Sequence, residues 1–165
     1  MGYWDRLLGD IHVQSGASVI NTLVGGISIA PTSSLTMASL TREPGATLNF
    51  RIFSSDDVYV SSPLVLDDGI VGGWATANSD YATIVNGEIV PFTGYATNIN
   101  AASASDNVFA DGNLALTSNR NINSLVVDPG TVLNLNQKTL NIESGGILRP
   151  GYDIAAVAIN PAFPR

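Results

Sequence analysis

Residues 121–148 read NINSLVVDPGTVLNLNQKTLNIESGGIL, and the fold of the whole chain turns on this stretch. Leu125, Leu133, Leu140 and Leu148 recur at steps of eight, seven and eight residues. Each lies in a short run where apolar residues alternate with Asn, Thr or Ser, and DPG, NQK and SGG separate the runs. Period-two alternation is what a strand with one buried face requires, and clusters of Pro, Gly and Asn mark corners. A helix does not fit, because β-branched residues, Asn and recurrent Gly all lower helix propensity. The stretch predicts three or four short strands that turn the same way again and again.

Outward from there, residues 39–50 read SLTREPGATLNF and residues 124–135 read SLVVDPGTVLNL. Six of the twelve positions are identical without a gap, Glu43 matches Asp128 in charge, and Phe50 matches Leu135 in polarity. A unit used twice, with an acid-Pro-Gly corner between alternating strands, cannot bury its apolar face alone and must stack on neighbours. The pattern therefore predicts a solenoid. Residues 19–50 carry similar punctuation at Gly25-Gly26 and at Pro31 to Ser34, and residues 107–116 return to it. Residues 67–105 differ: they hold Trp74, Tyr81, Phe92 and Tyr95, and Asn86-Gly87 falls between YATIV and EIVPF. Asn-Gly between two alternating runs is a hairpin signal, so an antiparallel hairpin insertion is expected there.

The ends are less regular. Tyr3, Trp4, Leu7 and Leu8 fit one helical turn, or a hydrophobic plug over an open β edge, so residues 1–18 are read as an N-terminal cap. Residues 151–165 are read as a C-terminal cap or a loose tail. The 165 residues then form a single domain, large enough to bury a core.

Composition narrows the function. The chain has no Cys, which excludes disulfides, thiolate metal sites and a Cys nucleophile. Charged residues make up 13% of it, against roughly 25% in soluble domains, and small polar residues fill the gap, as stacked β-structure allows. A net charge of −7 argues against nucleic acid and against anionic membrane surfaces. No apolar run is long enough to span a bilayer, so no membrane insertion is expected. The opening MGYWDRLLGD places two acids before any apolar stretch, so no signal peptide is expected in it.

The succession SLTREPGATLNF, then DDGIVGGWATANSDYATIVNGEIVPFTGYATNI, then NINSLVVDPGTVLNLNQKTLNIESGGIL resembles autotransporter-associated β-strand repeat proteins, which are bacterial surface or secreted passengers. The GGWAT segment and the INSL…GTVLNL…TLNIESGGIL block carry the likeness most specifically, and the matching segments span roughly residues 35–150. The resemblance implies a right-handed parallel β-helix, placed extracellularly or at the cell surface, with a structural or adhesive role. It brings no catalytic residues.

The candidates for chemistry come from the residues themselves. Asp56, Asp57, Asp67 and Asp68 flank one short stretch, and Asp80 lies just beyond. Such acids can converge on Ca²⁺, which takes six to eight oxygen ligands. Paired carboxylates can also serve as acid and base on a glycoside, with Arg51 neutralising developing charge. Equally, Asp-Asp and Asp-Gly are ordinary turn chemistry. Trp74, Tyr81 and Tyr95 suit a sugar-stacking surface or plain packing of the hairpin. A triad drawn from Asp10, His12 and Ser15 or Ser18 lacks a nucleophile-elbow motif, and Lys138 sits in a repeat corner. The leading expectation is a non-enzymatic structural or adhesive segment that binds carbohydrate or a cell-surface component weakly and associates with its own kind through its ends. The alternative is a small carboxylate-based hydrolase or lyase, with calcium or with no cofactor, acting on polysaccharide or an ester-like substrate.

Overall fold

The computed structural model describes residues 4–22, 33–53 and 56–150. The described residues contain fifteen strands and no helix, so the all-β expectation holds. They fall into two compact units, Met1–Leu66 with Ile70–Phe92, and Asp67–Gly69 with Thr93–Arg165. Residues 151–165, expected as a cap or tail, lie outside the described residues.

The first unit contains β1 (Trp4–Val13), β2 (Gly16–Asn21), β3 (Ser33–Arg42), β4 (Ala46–Arg51), β5 (Asp57–Val60), β6 (Ala75–Ala77), β7 (Asp80–Val85) and β8 (Glu88–Pro91). They form one sheet in the order β1-β3-β5-β8-β7-β6-β4-β2. β1, β3 and β5 pair in parallel, with Leu8 opposite Met37 and Met37 opposite Val60. A second parallel ladder, β2, β4 and β6, puts Ile20 opposite Phe50 and Phe50 opposite Ala77. Alternation sends these residues inward, where Met37, Phe50, Val60 and Ala77 are buried and Leu8 and Ile20 pack against them. Over Trp4–Val13 the N-terminal stretch is thus a strand and not a helical turn. Trp4 to Val13 is itself a ladder strand, because Leu8, Ile11 and Val13 find the same apolar interior as β3.

The hairpin predicted at Asn86-Gly87 is present. β7 and β8 pair antiparallel with Val85 opposite Glu88, and Asn86 and Gly87 take φ of 52° and 85°, the signs a type I′ turn needs. β8 pairs antiparallel with β5, and β7 with β6, so the hairpin joins the last strands of the two parallel ladders.

The second unit contains β9 (Asn107–Ala110), β10 (Leu114–Ala115), β11 (Arg120–Ile122), β12 (Ser124–Val127), β13 (Leu133–Asn134), β14 (Leu140–Ile142) and β15 (Ile147–Leu148). Three parallel ladders run through it: β9 with β12 and β15, β10 with β13, and β11 with β14. Leu125 and Leu133 are buried in one apolar cluster and Leu140 packs against it, while Leu148 is half-buried and lies opposite Val126.

The repeated sequence adopts one geometry in both units. In each copy Pro and Gly occupy the middle of a type II-like turn, closed by Ala46 N–H to the Glu43 carbonyl (3.1 Å) and by Thr131 N–H to the Asp128 carbonyl (3.0 Å). Gly45 and Gly130 take φ of 81° and 91°, a region open to Gly and strained for other residues. Each acid also donates its own amide to the preceding strand of its ladder: Glu43 to the Val13 carbonyl and Asp128 to the Ala110 carbonyl, both at 2.9 Å. The leucines that flank the corners, Leu40 and Leu48, Leu125 and Leu133, are all buried. A Cβ at Gly45 or Gly130 meets nothing within 4 Å, so substitution there tests backbone strain alone. Gly45→Ala and Gly130→Ala should each cost about 1–2 kcal/mol in urea unfolding, without a change in the circular dichroism spectrum.

Candidate functional site

The acidic candidates divide between the two units. In the first, Asp56 accepts hydrogen bonds from the amide (3.2 Å) and hydroxyl (2.7 Å) of Ser33, so it holds the start of the neighbouring strand. Asp57 begins β5 and lies beside Tyr59; together with burial and Glu88 it holds the Tyr59 phenol above its ordinary range. Asp80 opens β7 opposite Ala77. Arg51 ends β4 as an exposed side chain opposite Asn21. Asp67 and Asp68 belong to the second unit. Among the described residues no group of three or more His, Asp or Glu side chains is arranged to hold a metal ion.

The aromatic candidates also part company. Tyr81 is 1% exposed, so its ring face is closed to any ligand. Trp74 is half-buried against the apolar cluster of the first unit, and the Arg42 guanidinium sits 5.1 Å from its ring centroid. The ring folds back over Gly72, where a Cβ would come within 2.6 Å of the indole nitrogen. Tyr95, in the second unit, leans on Phe109 with centroids 6.0 Å apart and planes at 52°.

The triad drawn from Asp10, His12 and Ser15 or Ser18 is not assembled. Asp10 accepts from the Ser39 hydroxyl at 2.5 Å. His12 shares a hydrogen bond with the Thr41 hydroxyl at 2.9 Å, and its other ring nitrogen lies 3.5 Å from Glu43. Ser15 donates its backbone amide to Glu43 at 3.3 Å. These contacts run between β1 and β3 and from the turn after β1 to Glu43, so each group braces that ladder. Lys138 is exposed in a turn closed by its own amide to the Leu135 carbonyl.

The most fully buried polar cluster is one the sequence reading passed over. Asn107, Asn123 and Ser124 are buried in the second unit. Asn107 Oδ1 accepts from Asn123 Nδ2 (3.0 Å) and from the Ser124 hydroxyl (2.7 Å). The amides reach further: Asn107 Nδ2 donates to the Asp68 carbonyl (2.7 Å) and Asn123 Nδ2 to the Asp67 carbonyl (3.0 Å). The DDG turn is therefore held by its backbone, which leaves its carboxylates outside this network. The only signal was an Asn recurring 16 residues apart just before or at the start of a strand.

The Asp67 carboxyl is pushed up, first by burial and then by the neighbouring Asp68 charge. A folded pKa above the unfolded value means that protonation favours the fold. The stability linked to Asp67 is present below its unfolded value, about 3.9, and is lost as pH rises through the folded value. Asp67→Asn should therefore raise the urea midpoint at pH 7, and the gain over the parent should shrink as pH falls into the carboxylate range. A gain independent of pH would rule the mechanism out.

No protein-family model, no curated protein and no solved structure matches the chain.

Proposed function

We propose that this chain is a structural segment of a right-handed parallel β-helix, carried extracellularly or at a bacterial cell surface as a stalk with weak carbohydrate- or surface-binding capacity. The single observation behind this reading is the acid-Pro-Gly corner, which in both units bonds back to the preceding strand through the same amide at the same distance. A corner repeated in this way winds strands into stacked rungs, each of which buries its apolar face only against the next. The in-register parallel pairing of β9, β12 and β15, with Ser124 lying opposite Asn107, supports the same reading. The likeness to autotransporter-associated repeat proteins supplies the surface location and the structural or adhesive role.

The polar groups suit such a role. Asp5, Asp10 and Asp56 accept hydroxyls of Ser34, Ser39 and Ser33 from an adjacent strand, and these bonds brace a surface ladder. Trp74 and Tyr95, each within its own unit, are half-buried rather than buried, so neither is closed to solvent.

Stacked rungs tolerate changes in number. Ser124 pairs with Asn107, 17 residues earlier, so residues 107–123 form one repeat length. A tandem duplication of residues 107–123 should fold with the parental β-sheet spectrum and a melting temperature within a few degrees of the parent. An unfolded product would refute the stacked reading. Turnover of a polysaccharide or ester that Asp57→Asn abolishes would refute the structural role.

A further inference from the structure

The sheet of the first unit has two edge strands among the described residues, β1 and β2, and they are consecutive in the chain. At its other end the hairpin joins the two ladders, so among the described residues the open backbone edges of the sheet belong to β1 and β2. An edge of ten residues followed by one of six is a template for further strands, and proteins that keep such edges bare protect them.

Two inward-column positions of these edge strands differ from those of the strands they pair with. Arg6, exposed on the edge strand like Ser18, lies opposite Leu35, which lies opposite the buried Val58. Its column is inward, because Leu8, two residues on, packs against the same apolar cluster. Ser18 lies opposite the buried Leu48, which lies opposite the buried Ala75. Ile20, two residues on, again packs inward. Thus one column in each ladder changes from apolar to polar at the edge strand, to a cation at Arg6 and to a hydroxyl at Ser18, while Leu8, Ile11, Val13 and Ile20 keep the others apolar. The outward side adds Asp5 and Asp10, bound to Ser34 and Ser39.

We infer that Arg6 and Ser18 guard the β1-β2 edge against strand addition by other copies of this chain. A strand laid on β1 would bury the Arg6 guanidinium over Leu35 with no anion supplied by the interior, and a buried unpaired charge costs far more than an edge pairing returns. Two copies meeting through the same edge would pair as an antiparallel two-fold, with both Arg6 side chains on one face of the joined sheet and Asp5 and Asp10 of each copy on the other. The proposal rests on the register of the ladders alone, so it stands even if the surface role proposed above fails.

The test compares the full-length parent with Arg6→Leu/Ser18→Val by light scattering over a range of concentrations. The double variant completes both apolar columns and should self-associate at concentrations where the parent does not, while retaining the parental β-sheet spectrum. Arg6→Lys keeps the charge and should match the parent. Arg6→Gln, which removes the charge without adding apolar surface, guards against loss of fold in the double variant and should associate more than Arg6→Lys. Equal masses for the parent, Arg6→Gln and the double variant, whether all monomeric or all associated, would overturn the proposal.

Discussion

The hydrogen bond from the amide of a corner acid to the carbonyl that ends the preceding strand is the constraint on which the rest depends. It appears as Glu43 to Val13 and as Asp128 to Ala110. Proline pre-sets one torsion of the corner and glycine accepts the other, so the chain reverses in few residues and the next strand begins at a fixed offset. With the offset fixed, period-two alternation places Leu48 and Phe50 in the first unit, and Leu133 in the second, on the buried side. A one-residue slip would turn these side chains to water, so the corner and the core specify each other.

The polar side chains follow from that geometry. In-register parallel strands set residues of neighbouring strands side by side, and Ser with Asp fills those columns on the surface while Asn with Asn and Ser fills one in the interior. Surface pairs of this kind contribute little each, whereas burial favours pairing, and in the interior column every side-chain amide and hydroxyl is bonded while Asn123 Oδ1 alone lacks a partner. That difference explains why the carboxylates are dispersed along strands and turns while Asn107, Asn123 and Ser124 form a connected network. The arrangement braces a backbone, and Asp5, Asp10, Glu43 and Asp56 are held by hydroxyls or amides from adjacent strands and turns.

Much of this was legible in the sequence, for physical reasons that can be named. The corner was, because Pro-Gly after an acid leaves few backbone choices, and Leu125 and Leu133 were, because alternation alone determines their face. The hairpin was, because Asn86-Gly87 matches a turn with two positive φ values. The N-terminal strand was not: the spacing of Trp4, Leu7 and Leu8 fits a helix as well as a strand, and only pairing with residues 29 positions on decides it. The site candidates were the least legible. Tyr81 reads like Tyr95 in sequence, yet one is buried in the hairpin sheet and the other lies half-open against Phe109. Asn107 and Asn123 carry no local mark of burial, since their partners are carbonyls some 39 and 56 residues distant.

The central claim is that the corner amides are ladder bonds rather than loose turn amides. Hydrogen exchange at single-residue resolution reads this directly, because amides protected only by local turns open far more readily than those in a cooperative ladder. The account predicts that the Glu43 and Asp128 amides exchange as slowly as those of Leu48 and Val126 within the strands. Exchange of both corner amides at the rate of an open turn, with the flanking strands still protected, would contradict it.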